Sequence, residues 1–400
     1  MSQAEAPNGD DAQLWEEATI STWRQPVRGR DGVHVRTHTT GDMEWCIRHR
    51  GEGIAYTVRE MPRCLDSSAL ADLAPRHHVI IDQGAHHHGA AYLRLLESCG
   101  VWHRAYPVNG GERYKTDDVW NRLRKEVYRN AIRRDLIVAI GGGAVCDLAR
   151  CVAAWVFKGM PLLLIPTTPT GYVDASVGVK GALNADDSKN TGGVYYGALL
   201  TALDLGLLAG CDANVHRGGL IESLKMALIE GGDHFARWID GAAETLRTEW
   251  QAESSRTLSR DAITTMLRHL QPNLREHVLT RPVDFGHFLV SALELRAGLL
   301  HGIAVGIDMS LCAEYAAVLD DASADSRDAI HDALRCIDAP LWHPILTSAT
   351  VTRAVDATRR HRGGVVNLPV PVGIGNVQVH EQVELPALWE AVRRLARRAA

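Results

Sequence analysis

A chain of 400 residues with 46% hydrophobic content exceeds what one hydrophobic core usually serves, so two packed domains are the default expectation. A formal net charge of -5 and a pI near 6.4 leave no basic excess to hold a phosphate backbone, which argues against nucleic acid and for a small ligand gripped by a local charge cluster. No run approaches the roughly 18 uninterrupted apolar residues of a membrane span, and Met1 to Asp11 lacks the basic-then-apolar order of a signal peptide, so a soluble, cytoplasmic protein with no membrane partner is expected.

Residues 1–13 are polar and predict a disordered start. Leu14 to Val58 suggests short strands, and from Ala69 to Pro166 strand-like and helix-like stretches alternate. His78–Asp82 (HVIID), Asp135–Ile140 (DLIVAI) and Pro161–Pro166 (PLLLIP) read as buried strands, with helices over Asp117–Ala131 and Val145–Phe157. Such alternation predicts a parallel sheet flanked by helices, an α/β domain over 14–190. His86-His87-His88, flanked by glycines, reads as a solvated loop. Beyond Asn190 long helical periodicities take over: Arg217–Ile229, Phe235–Glu249, Ser259–Leu270, Phe285–Leu300, Val305–Leu319 and Pro386–Ala399. Residues 191–400 are therefore expected to form a helical domain, with Pro386 opening its last helix. Arg393, Arg394, Arg397 and Arg398 suit the negative end of that helix dipole and predict a solvated terminus. The eight cysteines form no CxxC pair; Cys99, Cys146, Cys151 and Cys312 lie in apolar stretches and read as reduced core residues.

Three constellations carry chemistry. Gly141-Gly142-Gly143-Ala144-Val145-Cys146-Asp147 follows the strand DLIVAI and opens a helix. Glycines there let backbone N–H groups approach a pyrophosphate at the positive helix end. The spacing is not GxGxxG, so an ordinary strand-to-helix turn is the competing reading. The second runs from Pro166 to Lys180 (PTTPTGYVDASVGVK) with Asn184 and Lys189-Asn190 after it. It leaves the end of a buried strand, where open parallel sheets place their ligands, and reads as a loop whose hydroxyls, acid, lysines and asparagine suit ribose and phosphate. The third gathers Glu222 (GLIESLK), His287 (DFGH) and His301 (LHG), one carboxylate and two imidazoles that suit zinc or a similar divalent ion. Among 19 histidines each is weak alone. Lys225, three residues after Glu222, shares its helix face.

Taken in order, GGGAVCD, PTTPTGYVDASVGVK, the KN pair, GLIESLK, FGH and HG, over roughly Ile80 to Pro371, resemble the sugar-phosphate cyclase family, whose best-known member is 3-dehydroquinate synthase. The resemblance implies an α/β N-terminal nucleotide-binding domain, an all-α C-terminal metal-binding domain, a site in a cleft between them and a homodimer. It implies NAD held by Gly142, Gly143 and Asp147, with Asp82, Glu112, Lys115, Thr167, Thr168, Asp174 and Lys189 completing that site; Gly111–Lys115 (GERYK) looks like the family's GExxK. Glu222, His287 and His301 would bind Zn2+ or Co2+, while Lys180, Asn190 and Lys225 would contact a small sugar phosphate.

Departures from the pattern indicate the branch. Dehydroquinate synthases precede the FGH-like segment with an arginine and an asparagine and follow it with a second GH; here those positions are Thr280, Asp284 and Val290-Ser291. A dehydroquinate precursor carries a carboxylate that wants a bidentate arginine, so its loss argues for a substrate without one. Leu270, Asp284 and His361 resemble the branch that closes sedoheptulose 7-phosphate into a seven-carbon cyclitol, 2-epi-5-epi-valiolone or 2-epi-valiolone, with release of phosphate. Its implied chemistry is transient oxidation by NAD, β-elimination, reduction and intramolecular aldol closure, with Asp284 and His361 orienting the open chain. Two alternatives stay open: a 3-dehydroquinate synthase in which Arg281 substitutes for the missing arginine, and an NAD- and metal-dependent polyol dehydrogenase. Pro169, Tyr172 and Gly181 depart from the family beside the substrate and leave the epimer open.

Overall fold

A computed structural model describes residues 29–185, 188–320, 323–361 and 363–399. The chain forms two compact units: one takes residues through Thr167, Ala175–Leu207 and Leu270–Arg275, the other Thr168–Asp174, Leu208–His269 and the remainder from Glu276. The expected border at 190 falls inside a strand, Ser188–Tyr195, and the first unit runs on to Leu207.

The first unit is built on a sheet of strands β1 (Gly32–Thr37), β2 (Met43–His49), β3 (Ile54–Glu60), β4 (Arg76–Asp82), β5 (Trp102–Val108), β6 (Leu136–Gly141), β7 (Leu162–Pro166) and β10 (Leu200–Leu203); β8 (Lys180–Ala185) and β9 (Ser188–Tyr195) form a separate hairpin. The spatial order is β1-β2-β3-β10-β7-β6-β4-β5, antiparallel from β1 to β3 and parallel from β3 onward. β6 and β7 are buried at every residue because helices cover both faces, which is why they read as unbroken apolar runs. Alternate side chains divide between two cores. Ile80, Ile137, Ala139, Leu162 and Leu164 pack with helices α2 (Asp117–Asn130) and α3 (Gly143–Trp155), whereas Val79, Ile81, Val138 and Ile165 pack with Tyr92 and Leu96 of α1 (His86–Ser98).

Two expectations fail in this unit. His86-His87-His88 is the first turn of α1, not a loop: a Cβ at Gly89 would meet Ile81 at 2.5 Å, so this glycine lets the helix lie against β4. The stretch from Lys180 to Asn190 is the β8–β9 hairpin, with Lys180 opposite Tyr195 and Gly181 opposite Val194. Cys99 is exposed, whereas Cys146 and Cys151 are buried; none of the eight cysteines is in a disulfide.

The second unit is helical: α4 (Ala213–Glu230), α5 (Gly232–Arg247), α6 (Glu253–Leu270), α7 (Val290–Ala297), α8 (His301–Leu319), α9 (Ala324–Cys336), α10 (Ser348–His361) and α11 (Leu385–Ala399), with one antiparallel ribbon, β11 (Leu368–Gly373) and β12 (Asn376–His380). α8 is long and apolar enough to cross a membrane by composition, but it is buried along nearly its whole length and forms the middle of this core. The expected helix over Phe285–Leu300 is broken. Gly286 takes φ +74°, where a side chain would also strike Met309, so a short turn at Pro282–Asp284 and an irregular stretch precede α7. The terminal arginines remain solvent-accessible while pairing with acids: Arg393, Arg394 and Arg397 converge on Glu390, and Arg398 Nε lies 3.2 Å from the fully buried Glu314 carboxylate.

Candidate active site

In the second unit the metal-type residues come together. Glu222 lies on the buried face of α4, His301 opens α8, and His287 follows the Pro282–Asp284 turn. The two helices meet backbone to backbone, since a Cβ on Gly302 would fall 2.3 Å from Gly218 Cα. Glu222 Oε1 is 3.3 Å from His301 Nε2 and 4.0 Å from His287 Nε2, and one donor atom of each residue lies within 4.8 Å of the others. The His287 ring stands edge-on to that of His301 with centroids 5.3 Å apart.

Neighbouring groups orient both rings. His287 Nδ1 donates to the Phe285 carbonyl at 3.1 Å, and His301 Nδ1 faces Glu294 Oε1 at 3.4 Å, so each Nε2 is directed to Glu222. Asp308 on α8 accepts the Leu289 N–H at 2.9 Å and ties down the chain just beyond His287. Burial pushes the Asp308 carboxyl up to about 7. Neither Glu294 nor Asp308 was legible as a site residue, because nothing in their spacing announces which ring or loop they would meet.

The electrostatics favour a cation here. Burial alone would raise the Glu222 carboxyl, but Lys225 and then His301 and His287 outweigh it and hold the group well below the carboxylate range. Burial and the Lys225 ammonium hold the His287 imidazole far below its usual value, leaving it neutral with a lone pair to offer. His301 rises to about 9 against its burial, because Glu222 and Glu294 flank it; the same two carboxylates would draw a divalent ion. One carboxylate with two imidazoles, both anchored through Nδ1, suits a catalytic zinc or a similar ion with open positions.

Lys225 Nζ lies 2.7 Å from Glu222 Oε2, fully buried. Burial lowers its pKa, but Glu222, Asp174 and Asp284 together leave it raised, so it stays a cation and both aspartates act on it. Asp174 sits in the helical turn Gly171–Ala175, where Thr168 Oγ1 accepts from Gly171 N. Pro169 packs on α4: a Cβ at Gly219 would meet its ring at 2.2 Å, which gives that departure a packing reason. Asp284 is gripped by Arg281, whose Nη2 and Nε donate to its two oxygens, while Arg281 Nη1 lies 2.7 Å from Glu276 Oε1. His361 closes α10, and its side chain lies outside the described residues.

Apart from Thr168 and Asp174, which fall in the second unit, the nucleotide-type residues lie in the first unit, where the glycine turn sits at the carboxyl ends of the parallel strands. Asp82 ends β4 and accepts from Gly84 N and Gly110 N; Gly141-Gly142-Gly143 links β6 to α3; Thr167 follows β7 and donates its N–H to Gly141 O. A Cβ at Gly141 would meet Asp82 at 2.8 Å, so the turn is pressed against that acid and presents the start of α3, the positive end of a helix. Beside it Lys115 Nζ contacts Glu112 at 2.8 Å, Asp147 at 2.9 Å and Asn190 Oδ1 at 3.1 Å, and Lys189 lies 3.5 Å from Glu112. Asn184 Nδ2 donates to Glu112 and Asn184 Oδ1 accepts from Asn190 N. Despite its burial, Glu112 is lowered to about 2 by Lys115 and Lys189, and Lys115 is raised by Asp147 and Glu112. Lys180 is exposed at the start of β8. Its neighbour Gly181 is forced by packing: a Cβ would meet the buried Arg150 stem at 3.0 Å, and Arg150 Nη1 donates to Tyr196 O.

Residues 105–217 match the family described as 3-dehydroquinate synthase N-terminal, and 219–360 match 3-dehydroquinate synthase C-terminal. A 2-epi-5-epi-valiolone synthase from Actinomyces sp is 34% identical over 366 residues, covering 86% of this chain and 96% of that protein. Among solved structures, ValA, a 2-epi-5-epi-valiolone synthase from Streptomyces hygroscopicus subsp. jinggangensis 5008 with NAD+ and Zn2+ bound, superposes with a TM-score of 0.82 at 31% identity, covering 86% of this chain and 98% of ValA. 2-Deoxy-scyllo-inosose synthase, complexed with carbaglucose-6-phosphate, NAD+ and Co2+, shares the fold at a TM-score of 0.73 and 21% identity, covering 85% of this chain and 97% of its own.

Proposed function

Because the chain belongs to the 3-dehydroquinate synthase-like family of sugar-phosphate cyclases, we propose that it converts sedoheptulose 7-phosphate to a seven-carbon cyclitol with release of phosphate, using NAD and a divalent metal ion. The observation that carries the reading is the Glu222–His287–His301 set, its carboxylate buried and its two imidazoles partly buried, beside the Lys225 cation, in a chain 34% and 31% identical to two valiolone synthases. Arg281, gripped by Glu276 and Asp284, is not available as the carboxylate receiver a dehydroquinate synthase would need, which supports the seven-carbon branch.

Each group has a part in this reading. NAD held in the glycine-turn cradle would supply a reversible hydride acceptor, which would make phosphate release by β-elimination possible with no net redox change. An ion held by Glu222, His287 and His301 supplies Lewis acidity toward a substrate hydroxyl. Lys225, kept protonated by Glu222, Asp174 and Asp284, stabilises enolate charge. Asp174 and Asp284 accept hydrogen bonds from substrate hydroxyls. Lys180 and Asn190 bind the phosphate end, and His361 orients the opened chain for intramolecular aldol closure. In the α/β unit, Gly142, Gly143, Asp82 and Thr167 cradle the dinucleotide, while Glu112, Lys115, Asp147 and Lys189 fix that cradle from the side. The protein is inferred to act as a homodimer in the cytoplasm.

The test is incubation with sedoheptulose 7-phosphate, NAD+ and Zn2+. Phosphate release without NADH accumulation, and a carbocyclic product by NMR, is expected; net NADH formation would identify a polyol dehydrogenase instead. Failure to release phosphate would remove the substrate assignment.

A further inference from the structure

Arg281, Glu276 and Asp284 form a closed polar clamp on one short stretch of chain. The Nε and Nη2 edge of the guanidinium is occupied by both oxygens of Asp284, and Nη1 lies 2.7 Å from Glu276 Oε1. All three side chains are largely withdrawn from solvent, at 14% exposure for Arg281 and 16% for each acid. Glu276 holds its place from a left-handed backbone conformation, φ 56°, which a non-glycine residue adopts only where its surroundings fix it. Burial opposes the Arg281 charge, yet Asp284 and Glu276 more than offset this and keep it raised.

A guanidinium recognises a carboxylate through two parallel N–H donors on one edge. Here the chain's own acid has taken that edge, and two carboxylates against one guanidinium leave a net negative charge in the clamp. Asp284 lies three residues before His287 and its main-chain carbonyl accepts the His287 N–H at 3.0 Å, so the clamp is tied to the segment that carries one member of the Glu222–His287–His301 set. The fork that could have received a substrate carboxylate is thus converted into a mount for a protein carboxylate.

We propose that Arg281, backed by Glu276, is a positioning residue for Asp284, and that this clamp sets substrate choice. It fixes Asp284 to accept hydrogen bonds from an uncharged polyhydroxy ketone phosphate and turns away a counterpart carrying a carboxylate. The inference rests on the function proposed above for this site.

The experiment compares wild type, Asp284→Ala, Asp284→Asn, Arg281→Ala, Glu276→Gln and the double variant Arg281→Ala/Asp284→Ala, each checked for fold by circular dichroism and for bound zinc. Two probes are used: sedoheptulose 7-phosphate, followed by phosphate release, and the carboxylate-bearing precursor of 3-dehydroquinate, followed by calorimetric binding with NAD+ present. Emptying the fork in Asp284→Ala is expected to tighten binding of the carboxylate probe about 10-fold or more, with a smaller gain in Asp284→Asn, whose amide oxygen still accepts from Arg281, and the double variant to lose that gain. Arg281→Ala and Glu276→Gln are expected to lower kcat with sedoheptulose 7-phosphate while zinc content is retained. The clamp is overturned if neither Asp284 variant gains affinity, if the double variant gains as much, or if Arg281→Ala turns over like wild type. Should wild type release no phosphate from sedoheptulose 7-phosphate, the proposed function fails, while the calorimetric comparison still decides the clamp.

Discussion

Both units bury a lysine beside glutamate, and the two lysines are used differently. Lys115 in the α/β unit is surrounded by Glu112, Asp147 and the Asn190 carbonyl, so every charge in that cluster has an opposite partner within the unit. Glu222 in the helical unit is shared among Lys225, His287 and His301, and the two imidazoles point their remaining nitrogens at the same carboxylate. The first arrangement is closed and braces a loop. The second keeps ligand atoms converging on one point, which is what a catalytic ion requires.

That contrast can be broken most severely at Glu222. Glu222→Ala is expected to lose bound zinc and to cut phosphate release by more than about 1,000-fold with the fold retained, read by metal analysis beside the assay. Lys115→Met should act on stability instead. Leaving the half-buried Asp147 without its cation, and Glu112 with Lys189 alone, is expected to cost about 1–3 kcal/mol in denaturant unfolding. The same cluster predicts a pH effect. Glu112 is held at about 2 in the folded chain against an ordinary 4.5, so its contribution is complete above pH 4.5 and fades as pH falls toward 2. The loss is on the order of 3 kcal/mol, and it should be much reduced in Lys115→Met when unfolding is followed across that range. The smallest effect is expected at Glu294→Gln, which weakens the hold on His301 Nδ1 without removing a ligand. Zinc affinity should fall about 10- to 100-fold by competition with a chelator, and unchanged affinity would deny Glu294 its orienting part.

The strands that carry the nucleotide-type residues were legible because a parallel sheet covered on both faces writes itself as solid apolar runs, as in Leu162–Pro166. Most long helices were legible by periodicity, within a few residues at each end. The break at Gly286 was not, because the stretch to Leu300 has helical spacing and only contact with Met309 and Val305 shows why the backbone must turn left-handed there. His86–His88 misled for the opposite reason: Gly89 looked like a loop residue until its packing on Ile81 was seen. The grouping of Glu222, His287 and His301 could be expected from residue types and ordered motifs, whereas Glu294, Asp308 and the Glu276–Arg281 pair act through contacts between segments that carry no local signal.

The Gly218–Gly302 contact bears on how the metal set tolerates change. Glu222 lies one helical turn after Gly218, and His301 is the residue before Gly302, so two of the three proposed ligands are referenced to a joint made of main chain alone. Such a joint has no rotamers to change and no side chain to trim, and it works like a hard stop in a machined assembly. In the proposed metal site, adjustment to ions of different radius would fall to His287, carried on the irregular stretch between Pro282–Asp284 and α7 and steadied there by Asp308.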